Sequence, residues 1–191
     1  TREIVEIKPV KYEIEEEDFG GIAYVRLVAF NNASTANLKS SVHKIEQELS
    51  KKSKKLKGII LDLRNNPGGL LDQSVGIVEY FIKEGTVVSV RGKSGKEKVS
   101  TASSMAQKAP DVPMVILING GTASAAEIVA GALQDHKWAI IVGTTSFGKG
   151  LVQTFTPVSR RAALKLTTAK YYTPNGRSIN AKGIKPDVFI E

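Results

Sequence analysis

The feature that most constrains this chain is an apolar stretch of strand length that runs into a turn of small residues and then into a helical pattern. Residues 113–119 are apolar and rich in β-branched side chains, which predicts a strand buried on both faces. Residues 120–127 read Gly-Gly-Thr-Ala-Ser-Ala-Ala-Glu, and apolar side chains then recur at helical spacing up to Asp135. A strand that leads directly into a helix favours a fold that alternates the two.

Two further units repeat this order of strand, turn and helix. An amphipathic helix begins at Ser34 or Thr35, each a plausible amino cap, after a strand at residues 21–30. A second buried strand at residues 58–64 enters a glycine-rich turn at residues 65–69, and a helix follows. These units predict an α/β fold with additional β-strands, and the β-rich flanks leave α+β as the alternative. The other segments predicted as extended are 4–14, 86–91, 138–143, 151–155, 162–168 and 188–190, with a hairpin and exposed loop at 92–109.

Composition limits the kind of protein this chain can be. Its 191 residues, 41% of them hydrophobic, fit one domain over residues 1–191. No stretch approaches the ~18 consecutive apolar residues typical of a membrane span. The absence of cysteine excludes disulfides and a thiol nucleophile, and two histidines leave little for a zinc site or a charge-relay triad. We therefore expect no cysteine-ligated metal.

The net charge of +8 raises the question of nucleic acid or an anionic membrane surface. The densest basic run, residues 51–57, falls where a helix is predicted to end, and cations are favourable at that end of a helix. No aromatic side chains interrupt the run to stack on bases. We expect no nucleic-acid partner, and binding to an anionic surface stays open as an alternative.

Ser124 admits two interpretations. It opens a pattern of the form S-x-x-E with Glu127, which is the capping box of an ordinary helix start. A serine at the amino end of a helix also lies among free backbone N–H groups and at the positive end of the helix dipole. That environment stabilises an oxyanion, so Ser124 is either a helix cap or a nucleophile.

Lys149 is the candidate base for such a nucleophile. It lies between two glycines shortly after the strand at residues 138–143, and Gln153 follows four residues later and could orient its amine. A lysine acts as a general base only where burial disfavours the charged ammonium, so this role requires a buried side chain. The alternative is a loop lysine with its ammonium in water.

Several motifs in a fixed order resemble those of the carboxy-terminal processing peptidases, also called tail-specific proteases. They are the turn at residues 121–128, the segment at 147–150 with Gln153, and the upstream segment Asp-Leu-Arg-Asn-Asn-Pro-Gly-Gly at 62–69. Residues 171–179 and 183–187 also fit, so the resemblance covers essentially the whole chain. The spacing of 25 residues from Ser124 to Lys149 matches the family as well.

The resemblance implies a crotonase/Clp-protease-like core built from ββα-type units. The family's functional positions fall here on the nucleophile Ser124, the general base Lys149, its orienter Gln153, and an oxyanion hole formed by the N–H groups of Ala125 and of Gly68, with Gly69 as the second choice. Thr122 and Ala126 stand where the family often has serine, and neither carries the implied chemistry.

The resemblance also implies a serine endopeptidase that cleaves proteins near their carboxyl terminus through an acyl-enzyme, a reaction that needs no metal and no cofactor. Its partners would be protein or peptide substrates, and it would act in the bacterial periplasm or cell envelope. A homo-oligomer and peripheral membrane association are both compatible with the family. Family members usually carry a PDZ domain, and nothing in this chain resembles one. The alternative function is a non-catalytic binding protein on the same scaffold.

Overall fold

Two β-sheets and three helices make up the part of the chain that a computed structural model describes, namely residues 8–18, 20–93, 95–106, 108–160 and 162–191. The helices are α1 (Ser34–Lys51), α2 (Leu71–Phe81) and α3 (Ala125–Asp135). The strands are β1 (Val10–Glu17), β2 (Gly20–Leu27), β3 (Leu56–Asp62), β4 (Gly85–Gly92), β5 (Glu97–Ala102), β6 (Met114–Ile118), β7 (Ile140–Gly143), β8 (Leu151–Ser159), β9 (Ala162–Tyr172) and β10 (Val188–Phe189). The predicted α/β fold is confirmed, and residues 4–7 of the first predicted strand lie outside the described residues.

The larger sheet has six strands in the order β1-β2-β3-β6-β7-β10. Strands β2, β3, β6, β7 and β10 run parallel, and β1 joins the edge antiparallel to β2. The chain enters β2, β3, β6 and β7 in that order across the sheet, with β4 and β5 leaving for the second sheet, so right-handed crossovers place α1, α2 and α3 on the same face. The contacts of α2 with both α1 and α3 agree with this arrangement.

Burial alternates along the central strands. In β6, Met114, Ile116 and Ile118 are buried, whereas Val115 and Leu117 are only half-buried. The prediction that this strand is buried on both faces is therefore wrong, because the three helices cover one face of the sheet and the other face is more open. The core side chains of neighbouring strands follow the same alternation; they include Ala23, Val25, Leu27, Ile59, Leu61 and Ile141.

The smaller sheet is antiparallel, with the strand order β5-β4-β9-β8. The hairpin predicted within residues 92–109 begins earlier than expected, because β4, nearly all of which precedes that stretch, is the strand that pairs with β5. Strand β9 continues to Tyr172, beyond the predicted end at residue 168, because its last residues pair with β4. This sheet places β8, and with it Gln153, directly after the loop that carries Lys149.

Helix α1 begins at Ser34, as predicted, but neither Ser34 nor Thr35 is its amino cap. The cap position is Ala33, and the Ser34 hydroxyl accepts a hydrogen bond from Asn31 N at 2.8 Å and donates one to Ala29 O at 3.1 Å. A fully buried hydroxyl is thus used to fix the loop before the helix. None of the helices in the described residues has the length and apolar character needed to cross a membrane.

A buried carboxylate fixes the point where β3 ends. The Asp62 side chain is fully buried, and its Oδ2 accepts hydrogen bonds from Tyr24 Oη at 2.6 Å and Arg64 Nη2 at 2.8 Å. Its Oδ1 accepts two more from the Arg64 Nε and backbone N, each at 2.9 Å. Burial raises the pKa of the Asp62 carboxyl, but the hydrogen bonds from Arg64 and Tyr24 outweigh it and hold that pKa below its usual value. The start of the loop at residues 63–69 is therefore held by an ion pair.

The lowered pKa of Asp62 predicts that the stability of the fold decreases at acidic pH. A carboxyl whose pKa is lower in the folded state stabilises the fold fully above its unfolded pKa, near 3.8, and loses that contribution as pH falls through the folded value. Asp62→Asn should lower the free energy of unfolding at pH 7 by about 1–3 kcal/mol, because it removes the buried charge and one acceptor oxygen from the donors Tyr24 and Arg64. Urea unfolding at pH 7 and pH 3 measures this, and the difference from the unchanged chain should shrink at pH 3. The exposed Glu48→Gln, which removes a carboxylate that forms no ion pair in the described residues, is the control, and equal differences at both pH values for Asp62→Asn would contradict the assignment.

Candidate active site

Ser124 lies immediately before α3 in a strained backbone conformation. Its φ is 57° and its ψ is −118°, in a region that residues with a side chain rarely occupy. Such a conformation costs about 1–3 kcal/mol and persists only where its surroundings hold it. Here the Ser124 N–H donates to Glu127 Oε2 at 2.8 Å, and the Ala123 N–H donates to Asn66 O at 2.9 Å. The helix-cap interpretation is structurally correct, and the strain goes beyond what a cap requires.

Two turns are joined at the carboxyl ends of β3 and β6. Asn65 N donates to Asn119 Oδ1 at 2.9 Å, and Asn119 Nδ2 donates to Asn65 Oδ1 at 3.0 Å. The Thr122 hydroxyl donates to Leu63 O at 2.8 Å. These bonds hold the glycine turn against the turn that carries Ser124. The two turns therefore lie side by side, as an oxyanion hole shared between them would require.

Gly68 packs tightly against the turn that carries Ser124. Its φ is +89°, and a Cβ at this position would lie 2.8 Å from Ser124 Cβ and from Ala125 N. The Gly68 N–H already donates to Asn66 Oδ1 at 2.9 Å. By contrast, no hydrogen bond within the described residues uses the N–H groups of Gly69 or Ala125. Of the two glycines considered for an oxyanion hole, Gly69 has the free donor.

The Lys149 main chain is held close to Ser124. Its N–H donates to Glu127 Oε2 at 2.8 Å, the same oxygen that accepts from Ser124 N. Gly148, with φ +89°, and Gly150, where a Cβ would lie 2.3 Å from Asn180 N, let the loop at residues 144–150 pack tightly against its neighbours.

The expected burial of the Lys149 side chain is wrong. Lys149 is exposed, because the flanking glycines make the close contacts of this loop and its side chain projects outward. Gln153 is also exposed, as the third residue of β8, where it pairs with Thr167. Within the described residues, no hydrogen bond connects the side chains of Ser124, Lys149 and Gln153. The structure thus brings the main chains of Ser124 and Lys149 together. The polar ends of the Lys149 and Gln153 side chains remain exposed to solvent.

Sequence reasoning missed the wider role of Glu127, which it treated only as part of a capping box. Glu127 is fully buried on a helix whose neighbouring residues are small or apolar. A lone carboxylate in such a segment is the signal that could have identified it. In the described part of the chain, no cluster of three or more His, Cys, Asp or Glu side chains is arranged to hold a metal ion.

The close approach at Gly68 yields a test. Gly68→Ala should reduce the reaction of Ser124 with a fluorophosphonate probe by about tenfold or more, because a left-handed alanine costs about 1–2 kcal/mol and its Cβ would displace the Ser124 turn. Gly120→Ala is the matched control, since a Cβ there meets nothing within 4 Å. Labelling rates are measured on protein of equal folded fraction. Equal rates for both variants would show that the close contact does not set the geometry of the serine.

Comparison with known proteins finds relatives that share one kind of name. The chain is 46% identical over 191 residues to a carboxy-terminal-processing protease of Bartonella bacilliformis, and 38% identical over 192 residues to a carboxyl-terminal-processing protease of Synechocystis. Each match covers 100% of this chain and 43% of the relative, so the chain spans less than half of their length.

A solved structure and a family sequence profile agree with these two relatives. The solved photosystem II D1 C-terminal processing protease superposes with a TM-score of 0.84 at 35% identity, covering 100% of this chain and 50% of that protein. The sequence profile of peptidase family S41 matches residues 21–190. That match covers nearly all of the chain and includes both turns and the loop of Lys149. The chain therefore belongs to peptidase family S41.

Proposed function

We propose that this chain is the catalytic core of a serine endopeptidase in which Ser124 is the nucleophile and Lys149 the general base. The observation that carries the proposal is the strained Ser124 at the start of α3, held against a glycine turn that offers a free N–H. The residues expected from the sequence supply every chemical role, and Gln153 is the orienter of Lys149. We also propose that residues 1–191 form one domain.

The reaction follows from these positions. Neutral Lys149 Nζ takes the proton from Ser124 Oγ as that oxygen attacks the carbonyl carbon of a peptide bond. The N–H groups of Ala125 and Gly69 donate to the resulting oxyanion, and the amino end of α3 adds its favourable dipole. The intermediate collapses to an acyl-enzyme, and Lys149 returns the proton to the departing amine. Water, deprotonated by Lys149, then attacks the ester and releases Ser124.

The exposure of Lys149 sets a condition on this reaction. The base must be a neutral amine to accept the proton, and removal of water favours that form. We propose that bound substrate covers Lys149 and excludes water from the space between Nζ and Ser124 Oγ. The base would then be activated only when a substrate is present.

The substrate and the place of action are proposed from the relatives. Two of them are named for processing carboxyl termini, so we propose cleavage of proteins near that end. Extracytoplasmic action fits this assignment and the absence of cysteine. Peripheral membrane association and self-association are compatible with it.

A non-catalytic binding protein on the same scaffold is the second candidate. The observation that favours it is the exposed Lys149, which makes no hydrogen bond to Ser124. A binding protein would retain its affinity for an unstructured protein when either side chain is removed, and it would release no products.

The decisive test compares three forms of the protein on an unstructured substrate. Ser124→Ala and Lys149→Met should each reduce product formation to background, because each removes a group that forms or breaks a bond in the first step. Mass spectrometry of the products measures cleavage and its position. Lys51→Met, at the end of α1, is the control for loss of one cation. Product formation by Lys149→Met at the original rate would exclude the Ser-Lys mechanism.

Replacement of Gln153 should reduce activity less than replacement of Ser124 or Lys149. Gln153→Ala should lower kcat by about tenfold, because an orienting group contributes less than the base itself. Thr154→Ala, the next position on the same strand, is the control for a change in β8. Steady-state kinetics on a labelled peptide separates the two variants. A loss as complete as that of Lys149→Met would assign Gln153 a direct part in proton transfer.

A further inference from the structure

One buried ionisable group in the site has no part in the chemistry described so far. Glu127 is fully buried on the first turn of α3, and its carboxylate accepts four hydrogen bonds. Oε2 accepts from the N–H groups of Ser124 and Lys149, each at 2.8 Å. Oε1 accepts from Gly148 N and from the Ser146 hydroxyl, each at 2.6 Å.

The donors that surround this carboxylate account for its burial. Three of the four are backbone N–H groups, which can only donate, so both carboxylate oxygens act as acceptors. No lysine or arginine in the described residues forms an ion pair with Glu127. A buried carboxylate without a cation requires hydrogen bonds of this kind. Three donors of the loop at residues 144–150 are therefore used to pair this one carboxylate.

The two halves of the proposed dyad come from separate elements. Ser124 belongs to the start of α3, and Lys149 to a loop without regular structure after β7. The loop has other anchors, since Phe147 N donates to Thr122 O at 2.9 Å and Ser146 N donates to Ile184 O at 3.1 Å. Among the hydrogen bonds of the described residues, Glu127 Oε2 is the acceptor shared by the N–H groups of Ser124 and Lys149.

We infer that Glu127 is a positioning residue that sets the separation of Ser124 and Lys149 through a shared carboxylate oxygen. This inference rests on the proposed Ser-Lys mechanism. The two N–H groups converge on one atom, so a movement of either main chain lengthens a buried hydrogen bond. The carboxylate also holds Ser124 in its strained conformation, because the Ser124 N–H is one of its donors. Glu127 thus acts on the reaction through the two residues that carry it.

The test uses the full-length protein, a labelled peptide substrate and active-site counting with a fluorophosphonate probe. Glu127→Ala should lower kcat per titrated site by about a hundredfold with KM little changed, because small displacements of reacting groups are costly. Glu127→Gln should recover activity to within about tenfold of the unchanged protein, since its amide oxygen keeps the shared acceptor and one backbone donor is left unpaired. A purely structural role would reduce the number of titrated sites and leave kcat per site unchanged.

Ser146→Ala is the matched control. It removes one donor from the same carboxylate and leaves Ile184 N without its acceptor, but it does not touch the shared oxygen. It should lower the melting temperature and retain kcat per titrated site. If Glu127→Ala does not fold, Glu127→Asp replaces it, because the shorter side chain withdraws the carboxylate by about 1.5 Å; its kcat per site should fall by about tenfold or more.

The outcomes separate the two proposals. Unchanged kcat per site in Glu127→Ala, or in Glu127→Asp where alanine does not fold, beside an inactive Lys149→Met overturns the positioning role alone. An active Lys149→Met overturns the Ser-Lys mechanism and the inference that rests on it. Reduced kcat per site in the Glu127 variant, with Ser146→Ala near the unchanged protein, supports the positioning role.

Discussion

The candidate site depends on hydrogen bonds between two turns that lie at the same edge of the larger sheet. Strands β3 and β6 are parallel neighbours, so the turns at their carboxyl ends meet. The paired side chains of Asn65 and Asn119 and the bond from Ala123 N to Asn66 O join them. Without this connection, the glycine turn would have no fixed distance from Ser124, and the oxyanion hole proposed between the two turns would not form.

Buried polar groups, each satisfied by hydrogen bonds, hold the main chain around this edge. Asp62 fixes the start of the glycine turn, the Asn66 side chain donates to Leu27 O at 2.7 Å and accepts from Gly68 N, and Glu127 joins α3 to the loop of Lys149. A buried polar group is costly when unpaired, so each of these side chains admits few alternative arrangements. The main chain of the site is therefore rigid for reasons of polar pairing as well as apolar packing.

The side chains that would act on a substrate are more exposed to solvent than the groups that position this main chain. Lys149 and Gln153 are exposed and Ser124 is half-buried, whereas the groups that position them are buried. The backbone of the site is therefore fixed by buried groups, and the side chains of Ser124, Lys149 and Gln153 are accessible to an incoming peptide chain. Under the proposed Ser-Lys mechanism, bound substrate would therefore remove water from Lys149, since the described residues leave its side chain exposed.

Much of this protein was determined by the sequence alone. Apolar strands followed by turns and helices gave the α/β fold, the ends of α3 and the start of α1, because hydrophobic periodicity and small-residue turns act locally. The order and spacing of the motifs around Ser124, Lys149 and the glycine turn gave the family. These features are properties of short segments and of their separation along the chain.

Only the tertiary structure decided how far each side chain is from water and which N–H groups are free. Lys149 was expected to be buried and is exposed, because burial depends on the contacts of a loop whose glycines pack against residues distant in sequence. Gly68 was preferred to Gly69 as a donor to the oxyanion hole, but the Gly68 N–H already donates to the Asn66 side chain. Glu127 matched a local capping pattern, and three of its four donors in the fold lie 19 to 22 residues away along the chain. A local pattern cannot report such partners, because the three-dimensional arrangement of the two loops brings them together.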